Sequence, residues 1–351
     1  MNDDLEPRMC QGNRKESLSI EVTNYCNNAC SHCFVRASVS ECSSLPIDLV
    51  REIISEGYHL GYRHLHITGG EPLLWKGLFE ALDHAFSLEY EKVFINTNGT
   101  LLTEVPISRL SKYDSLSISV SVEGPESLHD RMRGQYSYRQ ASLGIEKTLD
   151  AGIDLYIFTT VSKKLLPGLP LFIDDSYERF PGINLFSLIQ LIRVRDDVLD
   201  LSNELLDPAD FLKLVRIVSL LNLYGHKTEI LNNPLAVVVS KLFDTPWIPR
   251  VLPLHRNGHL IVMANRHIAL SHSTLNSYGK YEPGVIEKVL SSNEYRAAVA
   301  PDETICPSCG YAGLCEENGM LRPSEWYRDM HPEIPFCKRV LDKASSYYSG
   351  N

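Results

Sequence analysis

Short runs rich in apolar and β-branched residues recur along the first two hundred positions, separated by longer stretches with apolar residues at helical spacing. The extended runs are Ser17 to Val22, Leu65 to Thr68, Lys92 to Thr97, Leu116 to Val122, Leu155 to Val161 and Leu185 to Arg193. Between them, Pro46 to Leu60, Leu78 to Leu88 and Tyr138 to Ala151 read as amphipathic helices. Strand-helix alternation implies a parallel sheet with right-handed crossovers. The near-continuous run Leu185 to Ile189 suits a strand covered on both faces. The expected fold is therefore α/β, a partial (β/α)6 TIM-like barrel, with its chemistry at the C-terminal strand ends where the loops gather.

Beyond Arg195 the pattern changes to a helical segment, Pro208 to Tyr224, and then to the proline-punctuated stretch Thr245 to Pro249. This divides the chain into an N-terminal tail at 1–16, the barrel core at 17–200, a helical linker at 201–250 and a smaller domain at 251–351. The last portion opens with a hairpin, His259 to Ala264 and His267 to Ser271 around the turn Asn265-Arg266. A helix from Pro283 to Ala300 and a cysteine-rich tail follow.

Composition narrows the function. Among 351 residues, 34 Lys and Arg stand against 44 acids, a formal charge of −10, which argues against general nucleic-acid binding. The acidic N-terminus is not a signal or transit peptide, and no apolar run reaches the ~18 residues of a membrane span. A cytoplasmic protein without membrane partners is expected. Of nine cysteines, seven fall into two clusters near opposite ends, a metal-ligand pattern. Cys10 and Cys42 read as ordinary free thiols.

The first cluster is Cys26-Asn-Asn-Ala-Cys30-Ser-His-Cys33, directly after a strand. Three thiolates from one loop can hold a [4Fe-4S] cluster and leave one iron open to a chelating amino-acid group. Zinc more often takes four ligands from paired C-x2-C units. The next strand ends in Thr68-Gly69-Gly70-Glu71-Pro72, where paired glycines permit a close backbone approach beside an acid.

The Cx3Cx2C loop followed by Gly-Gly-Glu-Pro resembles the radical SAM superfamily, in order and spacing over residues 17 to 200. The resemblance implies a cluster-bound S-adenosylmethionine, reduced by a flavodoxin or ferredoxin-type donor and cleaved to a 5′-deoxyadenosyl radical that abstracts hydrogen from a substrate. It assigns Gly69, Gly70 and Glu71 to the methionine amine and His32 to the adenine. Asn98 ends the third strand in the family manner. Ser121 and Arg133 are the expected contacts to the ribose and carboxylate, guanidinium matching carboxylate. Glu123 stands where the family usually has aspartate and ranks below them.

The second cluster, Cys306-x2-Cys309-x5-Cys315 with Cys337 further on, suits either a structural zinc or an iron-sulfur cluster. The tail resembles the SPASM extension of radical SAM enzymes, which favours iron. In that family's full form two auxiliary clusters are bound. Here Gly319 occupies one ligand position, and His255 and Ser271 stand near two others. The resemblance therefore implies one auxiliary [4Fe-4S] cluster, held by Cys306, Cys309, Cys315 and Cys337. Full ligation suits an electron carrier and favours net oxidation. His255, His259, His267 and His272 read as polar positions on a half-exposed hairpin, with His255 the one at a ligand position.

The expected substrate is a peptide or protein side chain undergoing crosslinking or a similar oxidative modification. The alternative is a small molecule, such as a tetrapyrrole propionate undergoing decarboxylation or a sugar alcohol undergoing dehydrogenation. Fewer than twenty residues precede the first strand, so no leader-binding domain is expected there.

Overall fold

The computed structural model describes residues 15–33, 35, 37, 39–40, 43–192, 201–231, 233–245, 248, 258–270, 277–299, 306–317 and 336–348. Cys10, Cys42, Arg193, Arg195, Pro249, His255, Ser271, His272, Ala300 and Gly319 lie outside them.

The six expected strands are present: β1 Lys15–Glu21, β2 Tyr62–Thr68, β3 Lys92–Thr97, β4 Leu116–Ser121, β5 Asp154–Val161 and β6 Ile183–Gln190. They run parallel, each beside its predecessor. Helices α1 Ile47–His59, α2 Leu78–Ser87, α3 Glu104–Leu110, α4 Glu126–Arg133, α5 Ser137–Asp150 and α6 Leu169–Arg179 fill the crossovers. The result is the expected partial α/β barrel.

The sheet is wider than six strands. A short β7, Thr228–Ile230, pairs parallel with β6, between α7 Pro208–Leu223 and α8 Pro234–Leu242. At the other edge, β8 Leu260–Val262 pairs parallel with β1 and antiparallel with β9 Ile268–Ala269. Segments 201–250 and 251–351 thus both contribute strands to the core sheet. The hairpin turn is as expected, with Arg266 at φ 70. The helix expected over Pro283 to Ala300 is instead two, α9 Val285–Ser291 and α10 Asn293–Val299. Ser292 is extended between them, and its hydroxyl accepts from the Tyr295 N–H at 3.0 Å, so a capping serine interrupts an otherwise helical pattern. Helices α11 Ala312–Glu317 and α12 Phe336–Tyr348 pack on α8 and on α7 with α8, respectively.

Side-chain parity separates the two faces of the sheet. Leu18 faces α1, so close that a Cβ at Gly57 would lie 2.5 Å from its Cδ2. Phe186 packs on Phe172 and Tyr177 of α6, and the Thr228 hydroxyl meets Asn222 Oδ1 of α7 at 3.1 Å. The opposite, concave face carries the Ser19–His66, Asn96–Ser119, Phe94–Tyr156 and Ser187–Glu229 pairs. Strand register stacks these into layers. Glu21, Thr68, Asn96, Ser119 and Tyr156 share one; Ser121, Phe158, Ser187 and Glu229 share the next, level with Asn98 and Gly70 just beyond β3 and β2.

Among the described residues, no helix is long and apolar enough to cross a membrane.

Candidate functional site

The cysteine loop leaves β1 over the C-terminal rim of the sheet. The Gly70 N–H donates to the Thr23 carbonyl at 2.5 Å and the Glu71 N–H to the Tyr25 carbonyl at 2.9 Å. A Cβ at Gly70 would run into the Tyr25 carbonyl oxygen, and one at Gly69 would lie 2.5 Å from that of Thr23. The close approach permitted by the glycines is therefore to the backbone that carries Cys26.

Glu71 is fully buried. Its Oε1 accepts from the Thr97 hydroxyl at 2.8 Å and the Leu73 N–H at 3.1 Å, and its Oε2 from the Asn98 N–H at 2.8 Å. Burial pushes its carboxyl up, against the pull of those donors. Asn98 in turn donates to Asn27 Oδ1 at 2.9 Å and toward Cys26 Sγ at 3.8 Å. Glu71 thus braces the ends of β2 and β3, and Asn98 extends the brace to the first cysteine.

Glu123 is the hub on the other side of the loop. Arg133 gives it Nε at 2.8 Å and Nη2 at 2.6 Å, both on Oε1. His32 Nε2 reaches the same oxygen at 3.1 Å, and the Thr160 N–H donates to Oε2 at 2.6 Å. Burial raises the carboxyl, but Arg133 and His32 outweigh it and hold Glu123 well below the usual carboxylate range. Arg133 also points Nη1 at Cys30 Sγ, 3.9 Å away. The residue ranked below Ser121 and Arg133 from sequence is the one that organises Arg133 and His32. Ser121 ends β4 in the same layer as Glu229.

The donor set fits an iron-sulfur cluster and its ligand. Burial pushes the Cys26 thiol up and the Cys30 thiol to about 11, the latter against the pull of Arg133. Iron supplies the positive charge that converts such thiols to thiolates. Three buried polar atoms of this loop, Asn24 Oδ1, Asn28 Nδ2 and His32 Nδ1, have no hydrogen-bond partner. Orphaned polar atoms beside three cysteines leave hydrogen-bonding capacity that a polar ligand or ordered water can take up.

At the second cluster, Cys306 and Cys309 flank one turn, with the Cys309 N–H on the Cys306 carbonyl at 3.0 Å. Cys315 lies in α11 and Cys337 in α12. Burial and then the neighbouring Cys309, Cys337 and Cys306 push the Cys315 thiol to about 12. Cys337 is pushed to about 11 by burial, with Cys306 and Cys309 adding to it. The four sulfurs therefore share one electrostatic neighbourhood. Among the described residues, no group of three or more His, Cys, Asp or Glu side chains closes to the spacing of a single metal ion. Of the hairpin histidines, His267 Nδ1 meets the Ser277 hydroxyl at 2.6 Å, and His259 lends its carbonyl to the Tyr295 hydroxyl at 3.3 Å.

One acid escaped the sequence reading. Glu229 projects from β7 onto the concave face, its Oε1 accepting from the Ser187 hydroxyl at 2.6 Å. Burial pushes its carboxyl up. The signal was the three-residue alternation Thr-Glu-Ile, too short to read as a strand.

A parallel partial barrel with three cysteines in its first strand-to-helix loop has the donor set of an iron-sulfur enzyme built on a β/α scaffold. Residues 20–167 match the Radical SAM superfamily. For that family a [4Fe-4S] cluster and S-adenosylmethionine are implied. The chain is 32% identical over 153 residues to an AdoMet-dependent heme synthase of Oleidesulfovibrio alaskensis, an alignment covering 43% of this chain and 39% of that protein. It is 23% identical over 361 residues to a pre-heme d1 synthase of Dinoroseobacter shibae, covering 94% and 88%. Its fold is similar to that of Streptococcus suis SuiB bound to S-adenosylmethionine, with TM-score 0.69, 18% identity and coverage of 88% of this chain and 73% of that one.

Proposed function

We propose that this enzyme oxidises a peptide or protein side chain, starting from a hydrogen abstraction inside the barrel. The observation that carries the substrate class is the charge of the concave face. In its two upper layers the carboxylates, among the described residues, are Glu21 and Glu229, set among hydroxyl, amide and aromatic groups, with Lys227 just before β7. Acids and acceptors suit the N–H groups of a peptide and repel a substrate carrying several carboxylates. A structure of SuiB, whose fold this chain shares, is bound to its precursor peptide SuiA.

Cys26, Cys30 and Cys33 would hold the catalytic cluster, with Gly69, Gly70, Glu71, Asn98, Ser121, Arg133 and His32 around S-adenosylmethionine. Cys306, Cys309, Cys315 and Cys337 would hold one auxiliary [4Fe-4S] cluster. When bound, these groups supply a hydrogen-abstracting radical and an electron acceptor, fed by a flavodoxin or ferredoxin-type donor. Glu71 and Asn98 fix the first cysteine. Glu229 Oε2 is free of the Ser187 bond and placed to take the proton a substrate sheds as it is oxidised.

The pre-heme d1 synthase alignment, which spans nearly the whole chain, favours a second reading, oxidative decarboxylation of a tetrapyrrole side chain. One experiment separates the two. Anaerobically reconstituted enzyme with reductant and S-adenosylmethionine is offered synthetic peptides translated from the reading frames flanking its gene, and separately a tetrapyrrole bearing propionates. A peptide two hydrogens lighter, formed with 5′-deoxyadenosine, supports the proposal. A tetrapyrrole that loses carbon dioxide and two hydrogens replaces it with the second reading. If neither condition yields 5′-deoxyadenosine, radical chemistry itself is refuted.

A further inference from the structure

The cysteine loop is flanked by a buried ion pair whose charges sit at unequal distances from a cluster ligand. Arg133 Nη1 is 3.9 Å from Cys30 Sγ, while its Nε and Nη2 are both engaged by one oxygen of Glu123. The Glu123 side chain is 1% exposed and that of Arg133 13%, so water screens neither effectively. The other Glu123 oxygen is pinned by the Thr160 N–H on β5, and His32, within the cysteine loop, is bonded to the same oxygen as Arg133. Neither charge can swing away without breaking a buried bond.

Resting on the radical SAM assignment, we propose that Glu123 and Arg133 act as a paired electrostatic control on the reduction potential of the cluster held by Cys26, Cys30 and Cys33. Arg133 is the positive end and faces the sulfur. Glu123 is a positioning residue that both aims the guanidinium and offsets most of its charge. Adding an electron makes the cluster more negative, so an uncompensated cation beside Cys30 stabilises the reduced form and raises the potential. Removing the cation lowers it. The carboxylate therefore keeps the cluster strongly reducing, while the guanidinium keeps it within reach of a biological donor.

The test is an EPR-monitored redox titration of reconstituted full-length protein without substrate, with iron and sulfide counts establishing loading. Glu123→Gln leaves the cation uncompensated and should raise the midpoint by about 59 mV, a tenfold change in a one-electron equilibrium. Arg133→Gln should lower it by a similar amount. Arg133→Lys keeps the charge and should stay near wild type. Opposite signs for the first two variants support the proposal, because a merely structural role gives no sign reversal. Equal midpoints, or shifts in one direction for both, overturn it. Should Glu123→Gln fail to take up iron, the Arg133 variants carry the test: Arg133→Gln must still shift downward while Arg133→Lys stays near wild type, and no shift in Arg133→Gln is equally fatal. A wild-type protein that takes up no cluster sinks the radical SAM assignment instead, an outcome distinct from failure of the charge control.

Discussion

The Asn98 side-chain amide points its nitrogen at Cys26 Sγ from 3.8 Å, joining the end of β3 to the first cysteine of a loop that begins after β1. The same nitrogen donates to Asn27 at 2.9 Å, while Asn98 Oδ1 accepts from the N–H and hydroxyl of Thr100. A side chain that uses both ends of its amide positions its neighbours rigidly. Asn98→Ala removes all of these bonds and should cost about 1–3 kcal/mol in the metal-free protein. Urea denaturation measures that cost. Iron retention against a chelator, compared at equal folded fraction, should also fall.

Glu71→Gln tests the brace beneath. A carboxylate accepts from Thr97, Leu73 and Asn98 at once, whereas an amide must turn its NH2 toward one of these donors. The expected penalty is about 2 kcal/mol, seen in metal-free protein by thermal melting. A variant as stable as wild type would show that Glu71 does not brace the strand ends.

The barrel was legible in sequence because its strands alternate with helices whose apolar faces repeat at 3.6 residues, and periodicity of that length survives local noise. The edge strands were not. Thr228 to Ile230 is too short to show a period, and the pairing of β8 with β1 joins residues more than two hundred positions apart. The two cysteine clusters stood out by spacing, and the first gained weight from the Gly-Gly-Glu-Pro strand end that follows it. The Glu123 hub was not legible, since its partners come from the cysteine loop, from α4 and from β5, and only the folded register brings them to one carboxylate. Glu229 was hidden for the same reason.

His129 gives the fold a defined acid response. Its Nδ1 accepts from the Glu123 N–H at 3.2 Å, which requires the neutral ring. Burial, then the charge of Arg133, pulls its pKa down to about 4 from 6.5. The unfolded chain takes up the proton first, so stability is lost as pH falls from 6.5 toward 4, by about 3 kcal/mol at most. His129→Asn keeps an acceptor near the Nδ1 position without the titration. Urea midpoints of the two proteins should therefore converge or cross as pH falls through this window. A constant gap from pH 7 to pH 4 would contradict the assignment.

Glu229 should trade stability for chemistry. Burial raises its carboxyl above the usual range, and the Ser187 hydroxyl only partly offsets this. An acid raised in the folded state holds its proton where the unfolded chain has released it, so it lowers stability as pH rises above the ordinary glutamate value. Glu229→Gln, which can still accept from Ser187, should melt higher than wild type at pH 7, and the gain should vanish below about pH 4. Turnover of the identified substrate should fall about a hundredfold, the scale of a lost general base, and 5′-deoxyadenosine should form in excess over oxidised product. Melting curves across pH isolate the first effect and product ratios the second. A variant that is stabilised yet fully active would leave Glu229 a buried acid with no part in proton transfer, because the strain it imposes on the fold would then have no chemical counterpart.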